Sequence, residues 1–250
     1  MSKLKQIRRA PRTAVMIAGG AGERLRPLTA ELPKALVPVG GRPLFDWICD
    51  WLRSEGIERL VLGVAHRKER LIEAAAGLRA SGLDVAISEH SVDGGTAEAF
   101  RLAIERHVDD EHFLALNCDE LTNLSVARLA DHHADTGALV TMALAPLECR
   151  FSVVDLHGDG IIRGFKYGHT LPFVPLSIGV YLFDRRVLDH IPATGSIEDA
   201  TFTPLAEGGR VSGLMLADDE EWISVNSMKD LRHAEKRLAT LFPGRYPLSS

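Results

Sequence analysis

The chain has 250 residues, 46% of them hydrophobic and 25% charged, and a formal net charge of −5 at pH 7. A chain of this length buries roughly three quarters of the surface its unfolded form exposes, so it folds without a disulfide or metal staple. The mild acidity argues against bulk-charge attachment to nucleic acid or to an anionic membrane, and no apolar run approaches the roughly 18 residues of a bilayer span.

The elements follow in chain order. Met1–Arg12 carries Lys3, Lys5, Arg8, Arg9 and Arg12 without the apolar core of a signal peptide, and reads as a disordered basic tail (1–12). Thr13–Ala18 is a β-branched apolar run that fits a buried strand, followed by the loop Gly19-Gly20-Ala21-Gly22. Pro27, Pro33, Pro38 and Pro43 exclude a long helix across the next twenty residues. Leu44–Glu55 has helical apolar spacing, with Phe45, Trp47 and Trp51 on the packing face and Gly56 where a C-terminal cap belongs. Then come strand Arg59–Val64, helix Lys68–Leu78, strand Asp84–Ser88, helix Thr96–Arg106, strand His112–Asn117, helix Ser125–Thr136 and strand Ala138–Ala145.

After Pro146 the rhythm changes. Val153–Leu156 and Ile161–Phe165 flank His157-Gly158-Asp159-Gly160, a hairpin pattern. Ser177–Phe183 and Val211–Leu216 read as strands, and Met228–Leu241 as a helix opened by a capping box of Ser227 and Asp230. The alternation predicts an α/β fold: a Rossmann-like, mostly parallel sheet flanked by helices, with an added antiparallel subregion in one domain (13–242) and a terminal tail (243–250). Cys49, Cys118 and Cys149 are odd in number and form no C-x-x-C pair, which points to reduced thiols in a cytoplasmic protein. The ten histidines, His132 and His133 included, show no metal-ligand spacing and read as solvated helix or loop positions.

A glycine loop directly after the first strand is where α/β sheets bind phosphate, because peptide N–H groups there approach oxygens unobstructed. The dinucleotide fingerprint would need a third glycine where Leu25 stands. The P-loop needs a Gly-Lys pair, which occurs nowhere, and the hydrolase elbow is absent too. What stands here is Ala18-Gly19-Gly20-Ala21-Gly22-Glu23-Arg24-Leu25-Arg26-Pro27-Leu28-Thr29, then Pro33-Lys34-Ala35-Leu36-Val37-Pro38-Val39. These two linked blocks resemble the sugar-1-phosphate nucleotidylyltransferases. The resemblance runs from about Thr13 to Leu238, through Gly95-Thr96-Ala97, Asn117-Cys118-Asp119, Ser177–Phe183, Ser196-Ile197-Glu198 and Trp222–Leu231. It is nearest to the short, single-domain members that activate mannose or heptose phosphates.

The resemblance implies a nucleotide-diphospho-sugar transferase fold and Mg²⁺-dependent joining of a nucleoside triphosphate to a sugar phosphate. It implies Arg24 and Lys34 on the triphosphate and transition state, Asp119 as principal Mg²⁺ ligand, and the nucleotide held by Ala18, Gly19, Gly20, Ala21, Gly22, Glu23, Gly95 and Thr96. Such a reaction gathers two polyanions and needs fixed cations and backbone donors, not a protein nucleophile. Outside the motif, Glu23 and Arg24 would read as a surface ion pair, Lys34 as a solvated lysine, and Asp119 as a helix N-cap. Thr96 is also a candidate cap for the helix it opens, and Glu120 could help Asp119 at the metal but reads more readily as a cap or a solvent-facing residue.

The acceptor half departs from the family pattern. Ser177 replaces a common Asn at the start of the strand containing Gly179, and Cys118 replaces the glycine before the metal aspartate. Lys166 reads either as a shifted phosphate-binding lysine or as a surface lysine; Glu198 reads as a sugar-hydroxyl ligand or as a first-turn helix glutamate. In Trp222-Ile223-Ser224-Val225-Asn226-Ser227, Ser224 stands where relatives carry the second metal aspartate, and Asn226 is the expected replacement ligand. An intact triphosphate half beside a drifted acceptor half implies an acceptor other than plain glucose 1-phosphate: a heptose, mannose-like, amino-sugar or cyclitol phosphate. The competing expectation is a catalytically weak paralogue that binds nucleotide or sugar phosphate in a regulatory role. Small-molecule partners are expected in both cases, a homo-oligomer is left open, and the hexapeptide repeats of the C-terminal β-helix seen in some relatives are missing.

Overall fold

In the computed structural model, residues 10–20, 22–80, 82–149, 151–166 and 169–244 are described. Most of the expected N-terminal tail, Ala21, Tyr167, Gly168 and residues 245–250 lie outside them. Strand β1 (Thr13–Ile17) is buried throughout and alternates Ala14 and Met16 toward one face with Val15 and Ile17 toward the other. Burial on both faces explains why this strand reads as a continuous apolar run. The proline-rich segment forms no long helix, as expected; three short 3₁₀ turns occupy it, and a miniature hairpin of β2 (Pro38–Val39) and β3 (Arg42–Pro43) turns on Gly40 and Gly41, both at positive φ.

Helix α1 (Leu44–Ser54) packs Phe45, Trp47 and Trp51 inward, and the two indole N–H groups donate to Val39 O and Leu124 O. Gly56, at φ 84, closes it through Gly56 N to Arg53 O and Ile57 N to Leu52 O. The alternating units follow: β4 (Arg59–Val64), α2 (Lys68–Ala80), β5 (Asp84–Glu89), α3 (Gly95–His107), β6 (His112–Asn117), the short β7 (Glu120–Thr122) and α4 (Val126–Thr136). Beyond them lie β8 (Val140–Cys149), the hairpin β9 (Val153–Leu156) and β10 (Ile162–Lys166), β11 (His169–Asp184), a π-helical turn at Glu198–Phe202 running into α5 (Thr203–Glu207), β12 (Val211–Met215), β13 (Trp222–Ser224) and α6 (Met228–Leu241).

The main sheet has seven strands in the order β12-β8-β11-β6-β1-β4-β5. All run one way except β11, which is antiparallel to both neighbours. The predicted class therefore holds: a mainly parallel sheet between helical layers, with its antiparallel element in the C-terminal half. One core packs α1, α2, α4 and α6 against one face, and a second packs α3 and the residues around Phe202 against the other.

Three local differences from the sequence reading have physical causes. β8 runs past Pro146 because Pro146 sits opposite Pro175, beside a register shift where neither proline is asked to donate. The β7–β13 ladder is three residues long, too short for any periodicity signal, yet it shapes the site described below. His133 is not solvated: it is 1% exposed, its Nδ1 lies 2.7 Å from Thr141 Oγ1, and its ring meets His112 edge-on.

Burial, reinforced by His112, lowers the His133 pKa to about 4. The unfolded chain, with an ordinary histidine, takes up this proton near pH 6.5 while the folded chain refuses it until about pH 4. The stability tied to His133 is thus full above pH 6.5 and falls by up to about 3 kcal/mol as the pH drops to 4. Urea unfolding of the wild type and of His133→Gln across that range should show the shallower decline in the variant; parallel declines would contradict the assignment.

Candidate functional site

The carboxyl ends of β1 and β6 lie side by side, since Ile17 pairs with Asn117. From there the chain places the two groups that sequence analysis singles out. After β1, Ala18 is buried and its N–H donates to Gly63 O. A side chain at Gly19 would strike the His90 ring, whereas one at Gly20 would meet open space. Gly22, at φ +63, packs against Thr29 and the Lys34 Cβ, and its carbonyl accepts from Thr29 Oγ1 at 2.8 Å. The loop is thereby folded onto the 3₁₀ turn that carries Lys34, leaving Glu23 and Arg24 exposed. Ala21, the remaining predicted loop residue, lies outside the described residues.

Lys34 is the centre of the cluster. Its Nζ donates to Asp119 Oδ2 at 2.5 Å and to Asn226 Oδ1 at 2.6 Å, and Arg24 Nη2 reaches the same Asn226 oxygen at 3.4 Å. Both members of the Lys34–Asp119 pair are largely buried, with side chains 11% and 17% exposed. Asp119 is fixed from behind, since its carbonyl accepts from Val225 N. Four predicted residues from distant parts of the sequence thus meet at one point. Among the described residues Arg24 has no carboxylate partner, so the surface pair with Glu23 is not formed. Asp119 caps no helix; it sits in the turn between β6 and β7.

Two hard oxygens converging on one positive centre is also the arrangement a small hard cation requires. Among the described residues no group of three His, Cys, Asp or Glu side chains converges, so the protein would supply only part of a coordination shell.

Glu120 overturns its expectation. It neither caps a helix nor faces solvent: it is 7% exposed, accepting from Trp222 Nε1 at 2.6 Å and from Ser224 Oγ at 3.2 Å. The β7–β13 register explains this, because Ser224 lies directly opposite Glu120. Burial, and then the neighbouring Asp119 charge, push its carboxyl well above the usual range. Ser224 passes the contact on by accepting from Asn226 Nδ2 at 2.5 Å. Gly179, at φ +70 in a bulge of β11, lies against this group; a Cβ there would come within 2.9 Å of Asn117 Nδ2 and 3.0 Å of Glu120 Cγ.

The other predicted residues are distributed more widely. Gly95, at φ +74, makes a close approach to Gly195, whose carbonyl would be 2.3 Å from an added Cβ. Thr96 does not cap α3; its Oγ1 accepts from Ile197 N at 2.8 Å and faces Glu198 Oε2, which also accepts from Ser196 Oγ. Glu198 is thus tied to the Gly95–Thr96 segment, at the head of the π-helical turn. Ser177 is exposed and hydrogen-bonded to Tyr181, a buried residue that the sequence reading passed over. Lys166 is exposed on β10 and makes no hydrogen bond or ion pair to the cluster among the described residues. A cleft of about 720 Å³ lies beside the cluster, sharing Ser224 and Trp222 with it and bounded further by Phe151, Thr170, Leu176 and Arg237.

Fold and cluster together define an α/β protein with a glycine loop after its first strand and a cation-centred polar group at the carboxyl edge of its sheet. The family model described as Nucleotidyl transferase matches residues 13–240, and the chain belongs to that family. It is 31% identical over 224 residues to a mannose-1-phosphate guanyltransferase of Yarrowia lipolytica, covering 86% of this chain and 61% of that protein. It is 30% identical over 178 residues to the D-glycero-alpha-D-manno-heptose 1-phosphate guanylyltransferase of Aneurinibacillus thermoaerophilus, covering 70% of this chain and 76% of that one. The chain thus spans about three fifths of the length of the mannose-1-phosphate relatives it matches. In fold it is similar to the crystal structure of HddC from Yersinia pseudotuberculosis, with a TM-score of 0.72 at 19% identity, covering 91% of this chain and 99% of that one. Among the described residues no helix is long and apolar enough to cross a membrane.

The glycines separate packing from approach. Gly179→Ala should cost about 1–3 kcal/mol, since it adds a crowded Cβ at positive φ. Gly20→Ala, which meets nothing, should leave stability within about 0.5 kcal/mol of the wild type. Urea midpoints measure both, and equal losses would contradict the geometry.

Proposed function

We propose that the chain is a Mg²⁺-dependent nucleotidyltransferase that joins a nucleoside triphosphate to a sugar 1-phosphate. In this reading an oxygen of the acceptor phosphate attacks the α-phosphorus in line. The bond from that phosphorus to the bridging oxygen breaks, and pyrophosphate leaves. The observation that carries the reading is the Lys34 ammonium held between Asp119 and Asn226 with Arg24 alongside. Two cations fixed beside a glycine loop answer what phosphoryl transfer asks of a protein: charge placed in advance, where negative charge develops.

Arg24, exposed and without a carboxylate partner among the described residues, is available to the outer phosphates through its forked donors. Lys34 is a point charge suited to the reacting phosphorus. Gly20 lets a phosphate reach the loop backbone without meeting a side chain. The donor set, one carboxylate and one amide oxygen, fits Mg²⁺ that takes its remaining ligands from phosphates and water. Bound there, Mg²⁺ would supply charge neutralisation to the triphosphate and to the departing pyrophosphate.

The names of the mannose- and heptose-phosphate relatives support a guanosine triphosphate donor and a mannose-configured or heptose acceptor. The cleft beside Ser224 has room for the acceptor sugar.

Pyrophosphate release across a matrix of triphosphates and acceptor phosphates tests the reaction. Turnover should be highest with guanosine triphosphate and a mannose or heptose 1-phosphate, and lower with glucose 1-phosphate. Binding of triphosphate without turnover in any combination would favour the binding-only paralogue. Lys34→Gln should lower kcat by on the order of 10²–10³. Gly20→Ala should weaken triphosphate binding while its thermal midpoint stays put.

A further inference from the structure

The Asn226 side chain is held from both sides. Lys34 Nζ and Arg24 Nη2 have only protons to offer, so they select the amide oxygen Oδ1. On the other side, the Trp222 indole N–H and the Ser224 hydroxyl both donate to Glu120, which uses both of its oxygens as acceptors. Ser224 Oγ, whose own proton is directed at Glu120, accepts from the amide nitrogen Nδ2 of Asn226. An asparagine amide is nearly symmetric in shape, so such partners alone determine which end faces where.

We propose that Glu120, acting through Ser224, is a positioning residue that keeps Asn226 Oδ1 turned toward the cation site when the nucleotide is bound. This rests on the metal-assisted reading above. Without nucleotide, Lys34 and Arg24 suffice to hold the oxygen inward. A triphosphate competes for both of these cations, and as they turn to phosphate their grip on Oδ1 is released. The Glu120–Ser224 arm makes no contact that a phosphate would take over, because its hydrogen bonds run to Trp222 and Asn226 and not to Lys34 or Arg24. It is also rigid: Glu120 is 7% exposed, backed by Gly179 and clamped by Trp222, and Ser224 is its direct partner in the β7–β13 ladder. A neutral amide oxygen attracts Mg²⁺ more weakly than a carboxylate does, so its orientation matters more than it would for an aspartate, whose two oxygens are equivalent.

The test uses Mn²⁺ as a paramagnetic probe, titrated by EPR into the full chain saturated with an α,β-methylene triphosphate. Ser224→Ala and Glu120→Gln should each weaken Mn²⁺ affinity by about tenfold, as loss of outer-shell orientation does elsewhere. Triphosphate affinity measured without metal should stay within about twofold of the wild type. In an Asn226→Asp background, where either oxygen can face the metal, the same two substitutions should cost less than about threefold. A purely structural role would lower thermal stability equally in both backgrounds and give no such rescue. Unchanged Mn²⁺ affinity in Ser224→Ala, or an undiminished loss in the Asn226→Asp background, would overturn the positioning role alone. No Mn²⁺ uptake by the nucleotide-saturated wild type would overturn the metal-assisted reading and this inference with it.

Discussion

The site depends on one ammonium group. Lys34 Nζ binds Asp119 and Asn226 together, and through them ties the proline-rich segment to the ends of β6 and β13. Neither Lys34 nor Asp119 is freely solvated, and a largely buried charge without its partner is costly, so each holds the other in place. The prolines flanking Lys34 prevent its segment from relaxing into a helix that would carry the ammonium away. The pair is also exchangeable: a phosphate oxygen offers Lys34 what Asp119 offers it, and a divalent cation offers Asp119 what Lys34 does. On the proposed reading, the structural ion pair of one state becomes two halves of a phosphate and metal site in another.

The sheet brings these groups into register. β1 and β6 end together, so the glycine loop and Asp119 emerge side by side. β11, the single reversed strand, packs beside β6, and its bulge at Gly179 clears room against Asn117 and Glu120. The short β7–β13 ladder then brings the last site segment across, pairing Ser224 with Glu120 and leading to Asn226. A second closure, between Gly94–Thr96 and Gly195–Glu198, joins the start of α3 to the π-helical turn. It explains why Gly95 is glycine on grounds of chain packing alone.

Much of this was legible in the sequence because long periodic segments carry their own signal. β4, β6 and α6 fall on the predicted residues, since apolar runs, flanking turns and the Ser227 cap all agree. Arg24, Lys34, Asp119 and Asn226 were legible as a set because the two linked motif blocks and the Trp222 segment mark them. Glu120 was not, for a reason of scale: a three-residue strand has no periodicity, and only its cross-strand partner turns a charged residue inward. His133 escaped similarly, because its burial depends on how α4 packs on the sheet, against Thr141 of the following strand and His112 of β6. Thr96 reads in the sequence as a nucleotide contact that could also cap its own helix; the structure gives its oxygen no capping bond but the N–H of Ile197, about a hundred residues away.

The central claim is that Asp119 and Asn226 form a divalent-cation site whose place Lys34 fills when nucleotide is absent. Crystals grown with Mn²⁺ and a non-hydrolysable triphosphate, measured at the manganese absorption edge, address it directly. The account predicts one strong anomalous peak held by Asp119 and Asn226 beside the triphosphate, with the Lys34 ammonium moved onto phosphate. Manganese bound away from both residues, with the Lys34–Asp119 pair intact beside an ordered triphosphate, would contradict it.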